Sequence, residues 1–347
     1  MGSSTKNSWT SFKDKIDADR FSPYCVRMLD GSLSIDKTAD KPAGAARLTE
    51  VIRALLGMSR AIVAVFVVAH AGLAAIFATG RVPDIRTIVI GIFACLFGTG
   101  ALIGLNDLLD VSLDRRRMAA EGEAPELDLG SLFIHHPVAK GVISMSTGLI
   151  WVGCLSILSL SLISMLKSGL WPIFLLVAVC VALYSIVGRY TYFKFIFVAM
   201  AVTLGALSGW LVVAPANTTT FLLFGAWTYL WEIGGRNVPN DFNDVDEDAA
   251  LGVKTIPVVL GKARAGKIVF WALLASFLVS LPLMVMTDKP PLFIGGAVLI
   301  SLYLLLIPGY ALMRDPRPQI SRKLYNKSAI FPLVLLLLLM VNLLLVR

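Results

Sequence analysis

Two clusters of acidic residues give this chain its clearest capacity for chemistry. The same spacing, Asn-Asp-x-x-Asp-x-x-x-Asp, occurs twice, each time directly after a long apolar run. The first set is Asn106, Asp107, Asp110 and Asp114, and the second is Asn240, Asp241, Asp244 and Asp248. At about 100° per residue, offsets of three and seven place the carboxylates of each set within an arc of roughly 60° on one helical face.

Three carboxylates on one face repel one another, so such a face is suited to binding cations. Carboxylate and amide oxygens are hard ligands of the kind that Mg²⁺ accepts while it keeps water and substrate phosphates in its other positions. Two facing sets would therefore clamp one polyphosphate. The alternative is that these are solvated acids at a membrane surface, and a second copy in the same register argues against it.

The composition indicates an integral membrane protein. Hydrophobic residues make up 57% of the chain, charged residues 16%, and the mean hydropathy is +0.78. Crossing the hydrocarbon core takes about 20 mostly apolar residues. We predict an all-α membrane protein with about nine transmembrane helices around a central cavity. The predicted spans are 61–80, 86–106, 141–165, 169–188, 194–214, 219–239, 267–287, 291–313 and 327–346.

The basic residues predict which ends of these spans face the cytoplasm. With the N-terminus inside, Arg81, Arg86, Lys167, Lys289 and Arg347 fall outside, and the other Lys and Arg residues lie inside or within spans, as the positive-inside rule requires. The N-terminus and the loops carrying the two acidic motifs are then cytoplasmic. A net charge of +8 is accounted for by anionic membrane lipids, so no nucleic-acid partner is expected.

The chain divides into two parts by composition. Residues 1–55 are polar and nearly balanced in charge, which predicts a flexible cytoplasmic segment, and residues 56–347 form the transmembrane domain. The cysteines form no C-x-x-C pair, and the histidines, His70, His135 and His136, lack the spacing of a metal site, so we assign none of them to a metal.

Several basic residues near the predicted inner ends of spans have two interpretations. Arg60 either snorkels to the surface or faces a polar cavity, and Arg189 is either a topological anchor or a contact for a bound anion. Glu232 and Arg236 are spaced for an ion pair within one helix.

The chain resembles the UbiA superfamily of intramembrane prenyltransferases from about Arg60 to the last span. The most specific parts are the two acidic motifs and the stretch from Arg236 to Asp248 that continues through Thr255-Ile256-Pro257. The resemblance implies nine helices around a cavity that opens sideways to the membrane. It also implies Mg²⁺-dependent transfer of an isoprenyl group from an isoprenyl diphosphate to a lipophilic acceptor.

The resemblance further implies the residues of the site. The metal ligands and catalytic residues would be Asp107, Asp110, Asp114, Asp241, Asp244 and Asp248. The diphosphate contacts would be Asn106, Arg60, Arg189, Lys194 and Lys254. One departure concerns the acceptor. Members that prenylate aromatic acids usually carry Arg-Pro after the first motif, whereas this chain has His136-Pro137 and an acidic insertion from Glu121 to Asp128.

The chemistry of these groups is electrostatic. Metal ions with Arg and Lys would neutralise the leaving diphosphate without a covalent nucleophile. The allylic cation then needs a dry pocket, which the aromatic residues Trp210, Trp227, Tyr229 and Trp231 would shield.

Three alternatives remain at this point. A membrane terpene cyclase would use the same donor site without an acceptor, and the motifs do not separate it from a transferase. A CDP-alcohol phosphotransferase is disfavoured because its Asp-Gly…Ala-Arg…Gly pattern is missing. A divalent-cation transporter would place its acids near the bilayer midplane, whereas these lie at span ends.

Overall fold

The structure is a computed structural model that describes residues 44–121, 133–216 and 219–345. Every regular element in these ranges is helical. The α-helices are α1 (Gly44–Met58), α2 (Ala61–Thr79), α3 (Ile85–Glu121), α4 (Met145–Leu166), α5 (Trp171–Val187), α6 (Lys194–Val213), α7 (Thr219–Trp231), α8 (Val238–Asn243), α9 (Val245–Leu251), α10 (Ile256–Leu260), α11 (Lys262–Met286), α12 (Pro291–Ser301), α13 (Ile307–Arg314) and α14 (Pro318–Leu345). A π-helical turn, Glu232–Asn237, joins α7 to α8, and another, Leu302–Leu306, joins α12 to α13.

Each predicted span coincides with one helical segment of the described chain. Seven segments are long and apolar enough to cross a membrane. The first predicted span is the shorter apolar helix α2, and the sixth is α7 continued through its π turn into α8. The prediction of an all-α, multi-pass integral membrane protein is confirmed, and nine is an approximate count of its spans.

The long helices pack side by side around a cavity. Helix α2 lies against α3, α6 and α14, and α3, α5, α6 and α7 follow one another, with α11 packed on α7. The approach of α2 to α6 is close at Gly209, because a Cβ there would collide with the backbone carbonyl of Ala71. A large apolar core fills the side of α2 that faces α7, α11 and α14, and its rings include Phe77, Phe224 and Trp227.

Two predicted boundaries fall inside helices. The predicted span 86–106 ends at the first acidic motif, but α3 continues without a break to Glu121, so the motif lies inside a helix, as its spacing on one helical face requires. The sequence from 107 to 121 contains no Gly or Pro to end the helix. The boundary at residue 55 also falls within a helix, because α1 is helical from Gly44 to Met58. Residues 1–43 of the predicted flexible segment lie outside the described residues, as do residues 122–128 of the acidic insertion.

Helix α1 is fixed to the segment between α3 and α4. Its Met58 and Ala54 are buried against Leu108, Val138 and Ile143. The backbone N–H of Ile134 donates to the carbonyl of Arg53 at 3.3 Å. This packing holds the start of α2 and the segment 133–144 beside the first acidic motif.

Candidate active site

The first motif is positioned by the unbroken helix α3. Its Asn106 uses both side-chain groups, because Nδ2 donates to Oδ2 of Asp110 at 3.2 Å and Oδ1 accepts from the Ser185 hydroxyl at 3.1 Å. Ser185 belongs to α5, so this amide orients Asp110 and ties two helices together. The predicted shared face is present.

Asp107 is the acid of the first motif that lines the cavity. It is 4% exposed, and both of its carboxylate oxygens are without a hydrogen bond from the described residues. Two basic groups approach Oδ1 at longer range, Nη2 of Arg60 at 3.8 Å and Nδ1 of His136 at 3.5 Å. A buried carboxylate that lacks hydrogen bonds is costly unless it is paired or coordinates a metal, so Asp107 is available as a ligand.

Arg60 and His136 converge on this motif from two left-handed backbone positions. Their φ angles are 41° and 51°, a region that residues with side chains rarely adopt outside strained sites. Nη2 of Arg60 lies 3.2 Å from Nε2 of His136, and the opposite ring nitrogen, Nδ1, lies 2.8 Å from Oδ2 of Asp114. Because arginine only donates, Nε2 must accept, and we infer that Nδ1 carries a proton and faces the carboxylates.

The second motif spans two short helices that fold over the end of α7. Asp241 lies in α8, Asp248 in α9, and Asp244 between them. Nζ of the buried Lys194 lies 3.1 Å from Oδ1 of Asp241 and 3.5 Å from the Tyr184 hydroxyl. Burial raises the pKa of the Asp248 carboxyl above its usual range, although the neighbouring Lys194 and Arg117 charges oppose this shift.

Arg117 joins the two motifs. It lies one turn beyond the first motif on α3, its Nη2 donates to Oδ1 of Asp248 at 2.7 Å, and its Nε lies 2.8 Å from Oε1 of Glu247. The structure therefore brings the two motifs together. The second motif differs from the prediction, because its acids are divided between two short helices and do not lie on one helix.

The remaining predicted diphosphate contacts lie at the rim. Arg189, whose side chain is 45% exposed, places Nη2 at 3.8 Å from Asp110 and donates to the carbonyl of Leu109 at 3.3 Å. The Lys254 side chain is exposed, while its backbone N–H donates to the carbonyl of Gly188 at 3.1 Å. Lys254 thus holds the loop after the second motif against the turn that carries Arg189, and its side chain stays a predicted contact.

A cavity of about 400 Å³ opens from the first motif into the helical bundle. Its polar end is lined by Arg60, Asn106, Asp107, Asn237 and Asn240, and its remaining wall is mostly apolar. The apolar wall comes from α2 to α6 and includes the side chains Phe66, Leu102, Ile163, Phe174, Val177 and Val202. The shape suits a ligand with a charged head and a hydrocarbon tail.

The aromatic lining differs from the prediction. Of the four aromatic residues expected to shield a cation, Trp231 lines the cavity. Trp210 and Trp227 are buried in the apolar core instead, where their rings pack on Phe224, and Tyr229 packs beside that core. Phe66, Phe174 and Tyr184 also line the cavity and were not predicted.

The ion pair expected between Glu232 and Arg236 is also not formed. Both residues lie in the π turn and line the cavity. The Arg236 guanidinium lies over the ring of Tyr325, 4.1 Å from its centroid, and no ion pair to Glu232 is present among the described residues.

The acids suit a hard divalent cation by chemistry and by the unsatisfied oxygens of Asp107. Their side chains are, however, arranged around basic partners. Within the described ranges no three His, Cys, Asp or Glu side chains converge closely enough to hold an ion. The assignment of six aspartates as metal ligands therefore stays a prediction.

Sequence reasoning missed Arg117 and His136. Arg117 belongs to a run of three arginines that resembles an inner-surface anchor, and its partner Asp248 is 131 residues away. The sequence did single out His136, because it replaces an arginine of the family pattern. We considered it as a metal ligand or as a determinant of the acceptor, and not as a partner of Asp107 and Asp114.

Comparison with known proteins agrees with this fold. The sequence model of the UbiA prenyltransferase family matches residues 64–331. The mitochondrial 4-hydroxybenzoate polyprenyltransferase of Saccharomyces cerevisiae is 25% identical over 142 residues, which cover 39% of this chain and 35% of the yeast protein. The matched stretch thus spans well under two thirds of that relative.

Two solved structures share the architecture. A UbiA homologue from Aeropyrum pernix K1 superposes with a TM-score of 0.65 at 15% identity, over 81% of this chain and 98% of that one. A UbiA homologue from Archaeoglobus fulgidus, bound to DMAPP and Mg²⁺, superposes with a TM-score of 0.60 at 18% identity, over 83% and 99%. At these identities the likeness concerns the fold. Because the family match covers more than half of its length, the chain belongs to the UbiA prenyltransferase family.

Proposed function

We propose that this protein transfers an isoprenyl group from an isoprenyl diphosphate to a lipophilic acceptor within the membrane, with Mg²⁺ as cofactor. One observation carries the proposal. The two acidic motifs, joined by the contact between Arg117 and Asp248, lie beside the polar end of a mostly apolar cavity, which Asp107 and Asn240 line. The Archaeoglobus homologue, with DMAPP and Mg²⁺ bound, supports this choice of donor and metal.

The residues that would hold the metal are the six aspartates of the two motifs, with Asn106 and Asn240 beside them. When bound, Mg²⁺ would supply positive charge to the phosphate oxygens of the leaving group. Arg60, Lys194 and Arg189 each lie next to one of these acids, so their side chains reach the same region. We assign to these three side chains hydrogen bonds to the diphosphate oxygens that do not bind the metal.

The cavity wall would protect the reacting carbon. Ionisation would break the bond between the allylic carbon and the diphosphate, which leaves with the bonding electrons. A new bond would form from the acceptor to that carbon, and the proton that the acceptor loses would go to the diphosphate. Apolar side chains from α2 to α6 exclude water, which would otherwise compete as the nucleophile. The rings of Phe66, Phe174 and Trp231 line the cavity and would favour a cation over a neutral chain.

The test is incubation of the purified protein in lipid nanodiscs with DMAPP or longer isoprenyl diphosphates, with and without Mg²⁺, and identification of products by mass. Acceptors to include are 4-hydroxybenzoate and a neutral quinol. Mg²⁺-dependent diphosphate release with a prenylated acceptor is the expected result. A cyclic product formed without acceptor would instead establish the cyclase alternative, and no Mg²⁺-dependent release from any donor would refute both.

Variants of one acid from each motif sharpen this test. We expect Asp107→Asn and Asp241→Asn to lower the rate of diphosphate release about 100-fold or more, because each removes charge where the metal would bind. Asp315→Asn, in the loop before α14, removes an acid paired with Arg317 and serves as the matched control. Near-normal rates of diphosphate release in both motif variants would exclude metal binding by the two acidic motifs.

A further inference from the structure

The cavity has a second polar region, at the π turn between α7 and α8. Glu232 is 7% exposed and lines the cavity together with Arg236, His70 and Tyr325. Within the described residues Glu232 has neither a hydrogen bond nor an ion pair, because the nearby Arg236 stacks on Tyr325. An ionisable side chain inside a membrane span is costly and usually marks a pathway or a binding site.

This region lies deeper in the bundle than the acidic motifs. Glu232 precedes Asn237, which lines the polar end, by five residues, and His70 follows Arg60 by ten, which at about 1.5 Å per residue is roughly 15 Å along α2. The rings of His70 and Trp231 lie 4.4 Å apart, and the buried Nε2 of His70 has no hydrogen-bond partner among the described residues. Polar groups therefore continue into the part of the cavity that the diphosphate does not need.

The packing of the π turn explains why Glu232 faces the cavity. A Cβ at Gly234 would lie 2.9 Å from the carbonyl oxygen of Val269 on α11, and one at Gly235 would collide with the Ser328 hydroxyl on α14. These two glycines hold the opposite side of the turn against α11 and α14. The wide π turn leaves Glu232 and Arg236, four residues apart, on the cavity wall.

We propose that Glu232 and Arg236 bind the acceptor of the transfer reaction by a neutral hydroxyl group; this inference rests on the proposed function. A hydroxyl is the small group that donates a hydrogen bond to a carboxylate and accepts one from a guanidinium at the same time. A carboxylate-bearing acceptor would accept from Arg236 but face the charge of Glu232. The acceptor class is therefore a lipophilic phenol, quinol or alcohol without an acid group.

The experiment measures binding of a probe without donor. Protein in nanodiscs is titrated with 2-naphthol, with 2-methoxynaphthalene, which lacks the O–H donor, and with 6-hydroxy-2-naphthoate, which adds a carboxylate; empty nanodiscs correct for partitioning. We expect 2-naphthol to bind about tenfold more tightly than either relative, the size of one charge-assisted hydrogen bond. Tighter binding of the carboxylate, equal binding of all three, or no saturable binding of 2-naphthol would overturn the proposal.

The variant Glu232→Gln locates the effect. It keeps the shape of the side chain and removes its charge, so the preference for 2-naphthol over 2-methoxynaphthalene should shrink to about threefold or less. Glu50→Gln makes the same change at an exposed position on α1 and should leave the preference intact. An unchanged preference in Glu232→Gln would assign the probe to another site and refute the proposal.

Binding of DMAPP with Mg²⁺ is measured in parallel. Retained donor binding in Glu232→Gln shows that the variant is folded and separates the two hypotheses. If DMAPP does not bind to the wild-type protein in the presence of Mg²⁺, the proposed function is contradicted. If DMAPP binds but 2-naphthol binds no more tightly than its two relatives, only the acceptor subsite is contradicted. The wild-type comparison of the three probes remains decisive even if the variant does not fold.

Discussion

At the scale of single residues, the acids of the site are matched by basic residues of the same chain. Asp107 faces Arg60 and His136, Asp241 faces Lys194, and Asp248 faces Arg117. These pairs explain how closely grouped carboxylates are tolerated next to a membrane-embedded cavity, since an unpaired buried charge is expensive.

His136 carries a prediction of its own. Because it lies between Arg60 and two aspartates, its replacement should disturb both Asp107 and Asp114 without removing an acid. Outer-shell partners of metal ligands typically change metal affinity 10- to 100-fold. We therefore expect His136→Ala to raise the Mg²⁺ concentration for half-maximal diphosphate release about tenfold.

Lys140→Ala, an exposed change in the same segment, should leave the Mg²⁺ requirement unchanged. An equal Mg²⁺ requirement in wild type and His136→Ala would show that the imidazole does not position these carboxylates.

The sequence sufficed to predict the acids because their spacing repeats within the chain. Their partners came from elsewhere, and the pairing between Arg117 and Asp248 depends on how α9 folds back toward α3. No local pattern encodes such a contact. Arg60 and Lys194 were predicted through the family resemblance, although their partners were not.

At the scale of elements, helix α3 and the short helices α8 and α9 must stay in register for the two acidic motifs to meet. Arg117 is the contact that joins them. We expect Arg117→Met to release α9, because it leaves the buried Asp248 without its arginine partner. Diphosphate release should fall about tenfold or more, and hydrogen exchange of residues 245–251 should accelerate.

A matched control contacts the same short helix, α9. Lys262 lies 3.7 Å from Asp246 of α9, whose side chain is 95% exposed, so Lys262→Met should have little effect because exposed pairs contribute little. Equal exchange rates in Arg117→Met and wild type would contradict the joining role.

The apolar spans were predictable because length and hydropathy alone decide whether a segment can cross the bilayer. The end of α3 was not, since a polar sequence past residue 106 is equally compatible with a loop. The π turn at Glu232–Asn237 was also missed. Its geometry depends on the close packing of Gly234 and Gly235 against neighbouring helices, which a helical-wheel argument treats as ordinary α-helix.

At the scale of the whole molecule, the order of the spans makes a prediction about sidedness. Three spans separate Ser168 from Ala263, so the two residues must lie on opposite faces of the membrane. In a cysteine-free background, Ala263→Cys should react with an impermeant thiol reagent from the cytoplasmic side and Ser168→Cys from the other side. Both side chains are exposed.

Labelling of both cysteines from the same face would contradict the order of the spans. Opposite labelling with Ser168→Cys facing the cytoplasm would keep the fold and reverse the orientation that the basic residues predict.

The internal matching of acids and bases has a consequence for how substrate enters. Four basic residues, Arg60, Arg117, Arg189 and Lys194, lie beside the six aspartates, so the site keeps an excess of negative charge that attracts a metal ion and repels a free polyanion. A metal–diphosphate complex carries less negative charge than the free diphosphate, so it meets less repulsion. The aspartates would then bind its metal while the basic residues bind its phosphate oxygens. The site would thus bind a metal–diphosphate complex more readily than a free diphosphate.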